Sequence, residues 1–578
     1  PHHPGFISIL NAVVDLWNKE EERVRSSAER FTEQLRPALE RDLKLGEPAF
    51  EPKLIESFFE SILGNYEPIY GGFGARPKFP PHCILRLILN YLESGTPDTT
   101  LGPKLKKAAL HTLEKIALGG IHDIVGGGFH RYSTDEKWLL PHFEKMLYDN
   151  ALLLENYSLA KKHLEISFRE HALLEQAVAG IVRWLQNEMT SPEGLFYSAI
   201  DADSEEGEGR YYMWTLKEIQ DILGVEAPEF IESFGIKERG NFREEATGEY
   251  TSYNILYLKE PPSKDYSHQL VKLYEARQKR TRPSLDHKAL ASWNGLMIKA
   301  LTLAHHPELA TQCAKVWVDA WKQLGYLPHQ ITASAPEGRG FLDDYAYLAE
   351  ALYTLATFLD SPEYRKLAFE LTQEMVALFH SEKEACFYYT SDHHENIFGK
   401  FKPLFDQAVP SAQAIAIQCL LNQGELPRAQ QSLLSVQSWM EQAPELTASF
   451  LNVYLRLFRS YPKITSAPLV PHPTWKGWHQ TEIQLEVPEG LHFNSEWLPL
   501  QERYQEKQPL QIEITGPSSE TVEHQADFEQ DTPSQIRVNL KVHADANFPF
   551  FNIKLRFQLC SSTKCLPEQE YVLKLPSS

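Results

Sequence analysis

The chain has 578 residues, a net charge of -21 and 42% hydrophobic residues, too long for one ordinary core and too acidic for a polyanion to be its main partner. At least two folding units and no nucleic-acid partner are expected. No apolar run approaches the roughly 18 to 20 residues that a membrane-crossing helix needs, so no membrane span is expected either.

From Phe6 to about Ser460 the apolar residues recur every three or four positions, which predicts helix after helix. Leu105, Ala109, Leu113 and Ile116 line one face before Gly119-Gly120, a stop signal. Leu153, Leu154, Tyr157 and Leu159 do the same in a helix expected to start near Pro141, and Leu173, Ala177, Ile181 and Trp184 mark the next. Further helices are expected around 288–305, 307–323, 343–358, 362–380, 408–422, 427–441 and 444–458. Short aromatic turns separate several of the pairs: Gly71-Gly72-Phe73, Gly127-Gly128-Phe129, Gly194-Leu195-Phe196 and Cys386-Phe387-Tyr388-Tyr389. Two helices plus an aromatic turn, repeated at irregular spacing, predict a closed ring of helical hairpins whose turns gather at one end and line a pocket.

The stretch 201–266 breaks the rhythm with an acidic run and strand-like segments, and reads as an insertion or lid over the mouth of the ring, or as a solvated acidic loop. After a Pro-rich linker at 462–474 the period changes to two, as in Thr481-Glu482-Ile483-Gln484-Leu485 and Ile536-Arg537-Val538-Asn539-Leu540. Such alternation predicts a small immunoglobulin-like β-sandwich over 475–578.

The densest polar segment is 126–150. With Pro141 in the first turn of a helix, His142, Met146 and Asp149 would share one face and aim an imidazole and a carboxylate into the pocket; a helix-capping His142 and a dipole-favouring Glu144 are the alternative. The other carboxylate clusters are Asp201 with Asp203, Asp286 before Trp293-Asn294, and Asp343-Asp344. Neighbouring carboxylates in one cavity acquire separated pKa values suited to acid–base work, but Asp is also a common helix cap. None of these acids has metal-ligand spacing, so no metal and no cofactor are expected. Cys83, Cys313, Cys386 and Cys419 read as small buried hydrophobes.

Four segments carry a family resemblance: Gly71 to Pro80, Gly128 to Asp149, Ser292-Trp293-Asn294-Gly295-Leu296-Met297, and Phe341-Leu342-Asp343-Asp344-Tyr345-Ala346. They resemble the spermatogenesis-associated, thioredoxin-domain-containing family over roughly residues 1–460. The resemblance implies a mainly α fold, a six-hairpin α/α toroid over 41–461 similar to N-acylglucosamine 2-epimerase and other carbohydrate-processing toroids. It also implies that residues 1–40 are a helical linker from a thioredoxin-like domain. No Cys-x-x-Cys motif occurs in the chain, and its opening Pro1-His2-His3-Pro4-Gly5 reads as a processed or truncated fragment. Pro410-Ser411 is followed by Ala412-Gln413 where the family tends to carry Gly-Asn, which counts against roles for Asp406 and Ser411.

A second resemblance lies in Cys560-Ser561-Ser562-Thr563-Lys564-Cys565, similar to the cysteine hairpin in the N-terminal domain of the thiol:disulfide interchange reductase DsbD. The first functional expectation is therefore an enzyme, epimerase- or isomerase-like, acting on a sugar or sugar-like small molecule. His130 and His142 are its acid–base candidates; Glu144, Asp149, Asp201, Asp203, Asp286, Asp343 and Asp344 assist. Arg131, Tyr132, Trp138, Tyr148, Trp293 and Asn294 are the expected ligand contacts. The alternative is a redox-linked binding protein whose Cys560 and Cys565 exchange electrons with a thioredoxin-like domain or protein. The toroid resemblance implies the cytoplasm, and the cysteine hairpin a periplasmic or exported setting.

Overall fold

The computed structural model describes residues 5–39, 53–93 and 100–460 apart from 206, 244–248, 334 and 396–398; beyond 460 it describes only β-strands, the short Val470–Pro471, His492–Phe493 and Leu559–Cys560 and the longer ones named below. The helices in chain order are α1 (Phe6–Leu39), α2 (Lys53–Gly64), α3 (His82–Glu93), α4 (Leu101–Leu118), α5 (Leu147–His163) and α6 (Phe168–Trp184). Then follow α7 (Leu216–Leu223), α8 (Ala227–Ser233), α9 (Ser267–Arg277), α10 (Ala291–Leu303), α11 (Pro307–Leu324) and α12 (Leu342–Phe358). The last are α13 (Pro362–Phe379), α14 (Ala412–Gln423), α15 (Leu426–Ser435), α16 (Gln437–Gln442) and α17 (Ala448–Ser460).

The ring closes through its inner helices: α3 packs on α5, α5 on α10, α10 on α12, α12 on α14, α14 on α17, and α17 back on α3. Their sequences explain why they stand inside. From Leu147 to Ala160 every residue of α5 is buried, and α10, α12 and α14 are apolar almost all round, the signature of a helix surrounded by others. The outer helices α4, α6, α11, α13 and α15 keep one exposed face. Local signals set their ends: Ser167 and Glu170 form a capping box at α6, Pro307 opens α11, and Gly325 in the left-handed region ends it.

The aromatic turns sit where the sequence put them, and their phenylalanines serve the joints of the ring, while Tyr389 of the last turn reaches a cavity. Phe129, Phe196 and Phe387 are completely buried and bridge back to His122, Thr190 and His380 at the ends of the preceding outer helices. Each is then seized by an amide on the next inner helix. Asn150 accepts from Phe129 N and donates to its carbonyl, Asn294 does the same with Phe196, and Gln413 accepts from Phe387 N. Gly127, at φ +88°, lets this turn press on α6: an added Cβ would lie 2.1 Å from the Gly180 carbonyl oxygen.

The helix expected from Pro141 starts instead at Leu147. Pro141-His142 is extended and pairs with Tyr132-Ser133, and Lys145-Met146 pairs with Ala199-Ile200, so cross-strand hydrogen bonds override the helical spacing. The stretch 201–266 carries α7 and α8, and α9, which follows it, packs on α7. Tyr211, Tyr212, Met213 and Ile255 of this stretch share a small core with Phe143.

Beyond the ring the described strands are all antiparallel. One sheet runs Lys463–Ser466, Trp478–Glu486, Gln535–His543, His524–Thr532, and another Leu510–Thr515, Phe550–Phe557, Gln569–Pro576. Ile483 pairs with Val538, and both are buried, as the period-two pattern requires.

Candidate active site

The inner helices point their N-termini to one end of the ring, and the loops before them build the mouth. Two polar clusters stand there, one on each side of α10.

The first cluster joins Asp343, Asp344, His329 and Tyr389. Asp344 is fully buried; its Oδ1 accepts from Ser292 N at 2.9 Å, and its Oδ2 accepts from Phe341 N at 2.9 Å and lies 2.8 Å from His329 Nδ1. It therefore caps α12, ties the start of α10 to it and orients an imidazole. Burial alone would lower the His329 pKa, but the hydrogen bond to Asp344 and the charges of Asp344 and Asp343 outweigh it and raise it. Asp343 is the opposite case. Burial, and then the neighbouring Asp344 charge, push its carboxyl up to about 7. The Tyr389 hydroxyl hydrogen-bonds to Asp343, and the Tyr389 ring stacks on Phe341 at 5.1 Å. Asp343 also lines a cavity of about 320 Å³ walled by Tyr347, Tyr389, Phe401, Phe405 and Trp439.

The second cluster surrounds the start of α5. Asp149 is buried and its Oδ1 lies 3.1 Å from His82 Nε2, the first residue of α3, while Asp149 Oδ2 and His82 Nδ1 have no hydrogen-bond partner. Burial raises the Asp149 pKa against the opposing pull of His82 and Arg131. Arg131 contacts Glu144 at 3.2 Å and hydrogen-bonds Tyr148, and His142 Nδ1 lies 2.9 Å from Glu208 of the insertion. Phe79, Tyr132 and His142 stack in succession. Trp293, from the first turn of α10, meets Tyr148 edge-on at 4.8 Å and so links the two clusters.

A network of four charges closes the ring below the mouth. Arg86 of α3, Glu155 of α5, Lys299 of α10 and Glu350 of α12 meet at 2.6 to 3.1 Å, all buried. Glu350 follows Asp343 by two helical turns, about 10 Å along the axis. Burial opposes its ionisation, but Arg86 and Lys299 hold its pKa down at about 2. Among the described residues no group of three His, Cys, Asp or Glu is placed to hold a metal, and no helix is long and apolar enough to cross a membrane.

Several expected site residues fall elsewhere. His130 is buried against Phe143 and Tyr212, donates Nδ1 to the Phe143 carbonyl at 2.8 Å, and is driven down to about 3 by burial and the nearby Lys145. Trp138 is fully buried with Nε1 on the Tyr70 carbonyl, and Asn294 spends its amide on Phe196 and Leu290. Neither presents a surface to a ligand. Asp201 and Asp203 lie exposed in a turn of the insertion, and Asp286 pairs with Lys288 in a strand instead of capping α10. Asp406, discounted on sequence, is a buried strut that accepts from Ser411 N and Ser449 N, each at 2.8 Å, tying α14 to α17. Cys560 belongs to a described strand backbone, but its side chain and all of Cys565 lie outside the described residues. Cys313, Cys386 and Cys419 are buried and Cys83 half-buried, and burial raises all four thiols.

Comparison with known sequences gives long matches to one group. Mouse spermatogenesis-associated protein 20 is 32% identical over 470 residues, covering 72% of this chain and 58% of the mouse protein. The rat protein is 30% identical over 525 residues, covering 82% of this chain and 65% of its own length. This chain is a homologue of the spermatogenesis-associated proteins. It spans about three fifths of the length of the rodent relatives it matches. No family model matches it. Among solved structures, the ring is similar to a D-mannose isomerase (12% identity, TM-score 0.40, 72% of this chain and 89% of that one). A cellobiose 2-epimerase from Bacillus thermoamylovorans (9%, TM-score 0.36, 74% and 86%) and a glycoside hydrolase family 76 mannosidase from Bacteroides thetaiotaomicron (9%, TM-score 0.39, 70% and 97%) are similar as well.

Proposed function

We propose that the chain is an acid–base enzyme acting on a sugar or sugar-like molecule at the mouth of the ring, with Asp343 as the proton carrier and His329 as its partner. The observation that carries this reading is the placement of Asp343: an acid at the rim of an aromatic cavity, beside an oriented imidazole and a second carboxylate that is fully engaged by the backbone. A carboxyl near 7 takes and returns protons at neutral pH with little cost. His329 gives Nδ1 to Asp344, which leaves Nε2 for the ligand.

In an epimerase- or isomerase-like cycle, ionised Asp343 removes the proton from the carbon next to the open-chain carbonyl. His329, protonated on both ring nitrogens as its raised pKa favours, donates Nε2–H to the carbonyl oxygen as it gains charge. Asp343, its proton free to exchange with solvent, returns a proton to carbon, and neither metal nor redox partner enters the balance. Arg131, Tyr132 and Tyr148 supply hydrogen bonds and a stacking face on the other side of α10. The test is deuterium exchange at the carbon beside the carbonyl, followed by NMR in D₂O across a panel of aldoses and ketoses. Wild type should exchange at least one sugar, and Asp343→Asn should lose on the order of 10² to 10⁴ of that rate. An unchanged rate in Asp343→Asn sinks the reading.

A further inference from the structure

The cavity beside Asp343 is unlike a sugar subsite in one respect. A sugar ring carries hydroxyls on every edge, so a pocket that holds it must offer many hydrogen-bonding groups. Here the protein has already used most of the polar side chains that line the wall. Tyr347 donates its hydroxyl to the Pro410 carbonyl, and Ser411 Oγ donates to the Pro403 carbonyl at 2.7 Å and accepts from Ala414 N. The Lys402 ammonium is paired with Glu384 and stands over the Tyr388 ring. Tyr389 gives its hydroxyl to Asp343, and Asp343 and the exposed Gln407 are the side chains that face a ligand with spare polar capacity. The rest of the wall is aromatic or apolar, chiefly Phe401, Phe405, Val409 and Trp439 with two prolines.

Charge points the same way. Among the described residues of the wall the one cation, Lys402, is neutralised by Glu384, and at the rim the two carboxyl groups of Asp343 and Asp344 flank the single imidazole of His329. An anionic group such as a phosphate would meet only that imidazole, already engaged by Asp344. An apolar or aromatic group, in contrast, would exchange water for five aromatic rings.

We infer that this cavity binds the uncharged, apolar or aromatic part of an amphiphilic ligand, a sugar with a free reducing end that carries an apolar or aromatic ether on another hydroxyl and lays its polyhydroxy part across Asp343 at the polar mouth. The inference rests on the proposed function for the sugar half but stands on the cavity wall alone for the apolar half. It places Asp343 at the junction between the two parts of the ligand, and it excludes sugar phosphates as preferred ligands.

The two halves can be tested apart. 4-Fluorophenol, a bare aromatic probe, should bind wild type in a fluorine NMR titration. The signal should persist in Asp343→Asn and vanish in Ala412→Phe, which fills the cavity from the first residue of α14. Val409→Trp, a change in the loop, fills the same space and guards against a misfolded Ala412→Phe. 4-O-Benzyl glucose or 4-O-benzyl mannose, each with a free reducing end, should then bind at least tenfold more tightly than its 4-O-methyl counterpart, a gap of about 1.4 kcal/mol, and the filling variants should close that gap. Absent binding of 4-fluorophenol, binding untouched by both filling variants, or tighter binding of glucose 6-phosphate than of 4-O-benzyl glucose overturns the inference. A failure of the acid–base reading would show instead as unchanged deuterium exchange in Asp343→Asn, with the fluorine titration unaffected.

Discussion

Asp344 and His329 meet at 2.8 Å, and the same carboxylate holds the backbone of Ser292 and Phe341. One buried side chain thus fixes two inner helices and an imidazole at once. Asp344→Ala removes two charge-assisted hydrogen bonds from backbone N–H groups and leaves them buried, which should cost on the order of 3 kcal/mol. The milder Asp344→Asn should keep the fold but lower the His329 pKa, because the hydrogen bond and charge that raise it are lost. NMR titration of the His329 ring checks this; a pKa that stays raised in Asp344→Asn would show that another group holds it.

Asp343 makes an opposite demand on stability. Its folded pKa of about 7 lies above the unfolded carboxylate value near 3.9, so between those values the folded state holds the proton and the unfolded state does not. Stability contributed by this group is full below the unfolded value and is lost as pH rises through 7. Asp343→Asn should therefore change stability little at pH 4 and raise it at pH 8, by on the order of 1 kcal/mol or more. Urea unfolding at the two pH values decides it. A variant that is both more stable and slower is the expected mark of a functional acid held at a cost to the fold.

Arg86, Glu155, Lys299 and Glu350 should respond unevenly to mutation. Arg86→Met leaves Glu350 and Glu155 with Lys299 alone in a buried site, and breaking such a network costs about 3 to 5 kcal/mol. Replacing all four by Met or Leu removes the unpaired charge as well, so the quadruple variant should be more stable than Arg86→Met. Thermal unfolding of the two compares them, and a quadruple variant weaker than the single would mean the charges set the ring's geometry rather than merely filling its axis.

The ring was legible because its signal is long: buried faces recur over whole helices, and the aromatic turns repeat. The joints were legible as motifs but not in their role, since nothing in Gly128-Phe129 says that Asn150, twenty-one residues on, will take its backbone. The site was legible only in part. Asp343 and Asp344 are adjacent and alike in sequence, yet one turns to the cavity and the other into backbone hydrogen bonds, a difference set by where α10 and the 325–341 loop pack. His329 carries no local pattern, and Tyr389 shows only as part of an aromatic turn; ring closure brings them to Asp343 from separate loops. His142 misled because a 3.6-residue spacing is meaningful only in a helix, and strand pairing with Tyr132 claimed that segment first.

His130 gives the last prediction, because the burial that removes it from the mouth makes it a titrating liability. Its folded pKa of about 3 lies below the unfolded value near 6.5. Above 6.5 neither state binds the proton; below it the unfolded state does and the folded state does not, until pH approaches 3. Stability should therefore fall as pH drops from 6.5 toward 4. His122, held at about 4 by burial, adds to the same slope. His130→Phe removes one of these terms but also strips the Phe143 carbonyl of its donor. At pH 8 the variant should be weaker by about 1 to 2 kcal/mol, and the gap should shrink at pH 4.5 because only wild type continues to lose stability through this residue. Urea midpoints at pH 8, 6 and 4.5 measure it. Parallel slopes for the two proteins would mean that His130 takes up its proton in the folded state, through a path that opens the Phe143–Tyr212 contact to solvent.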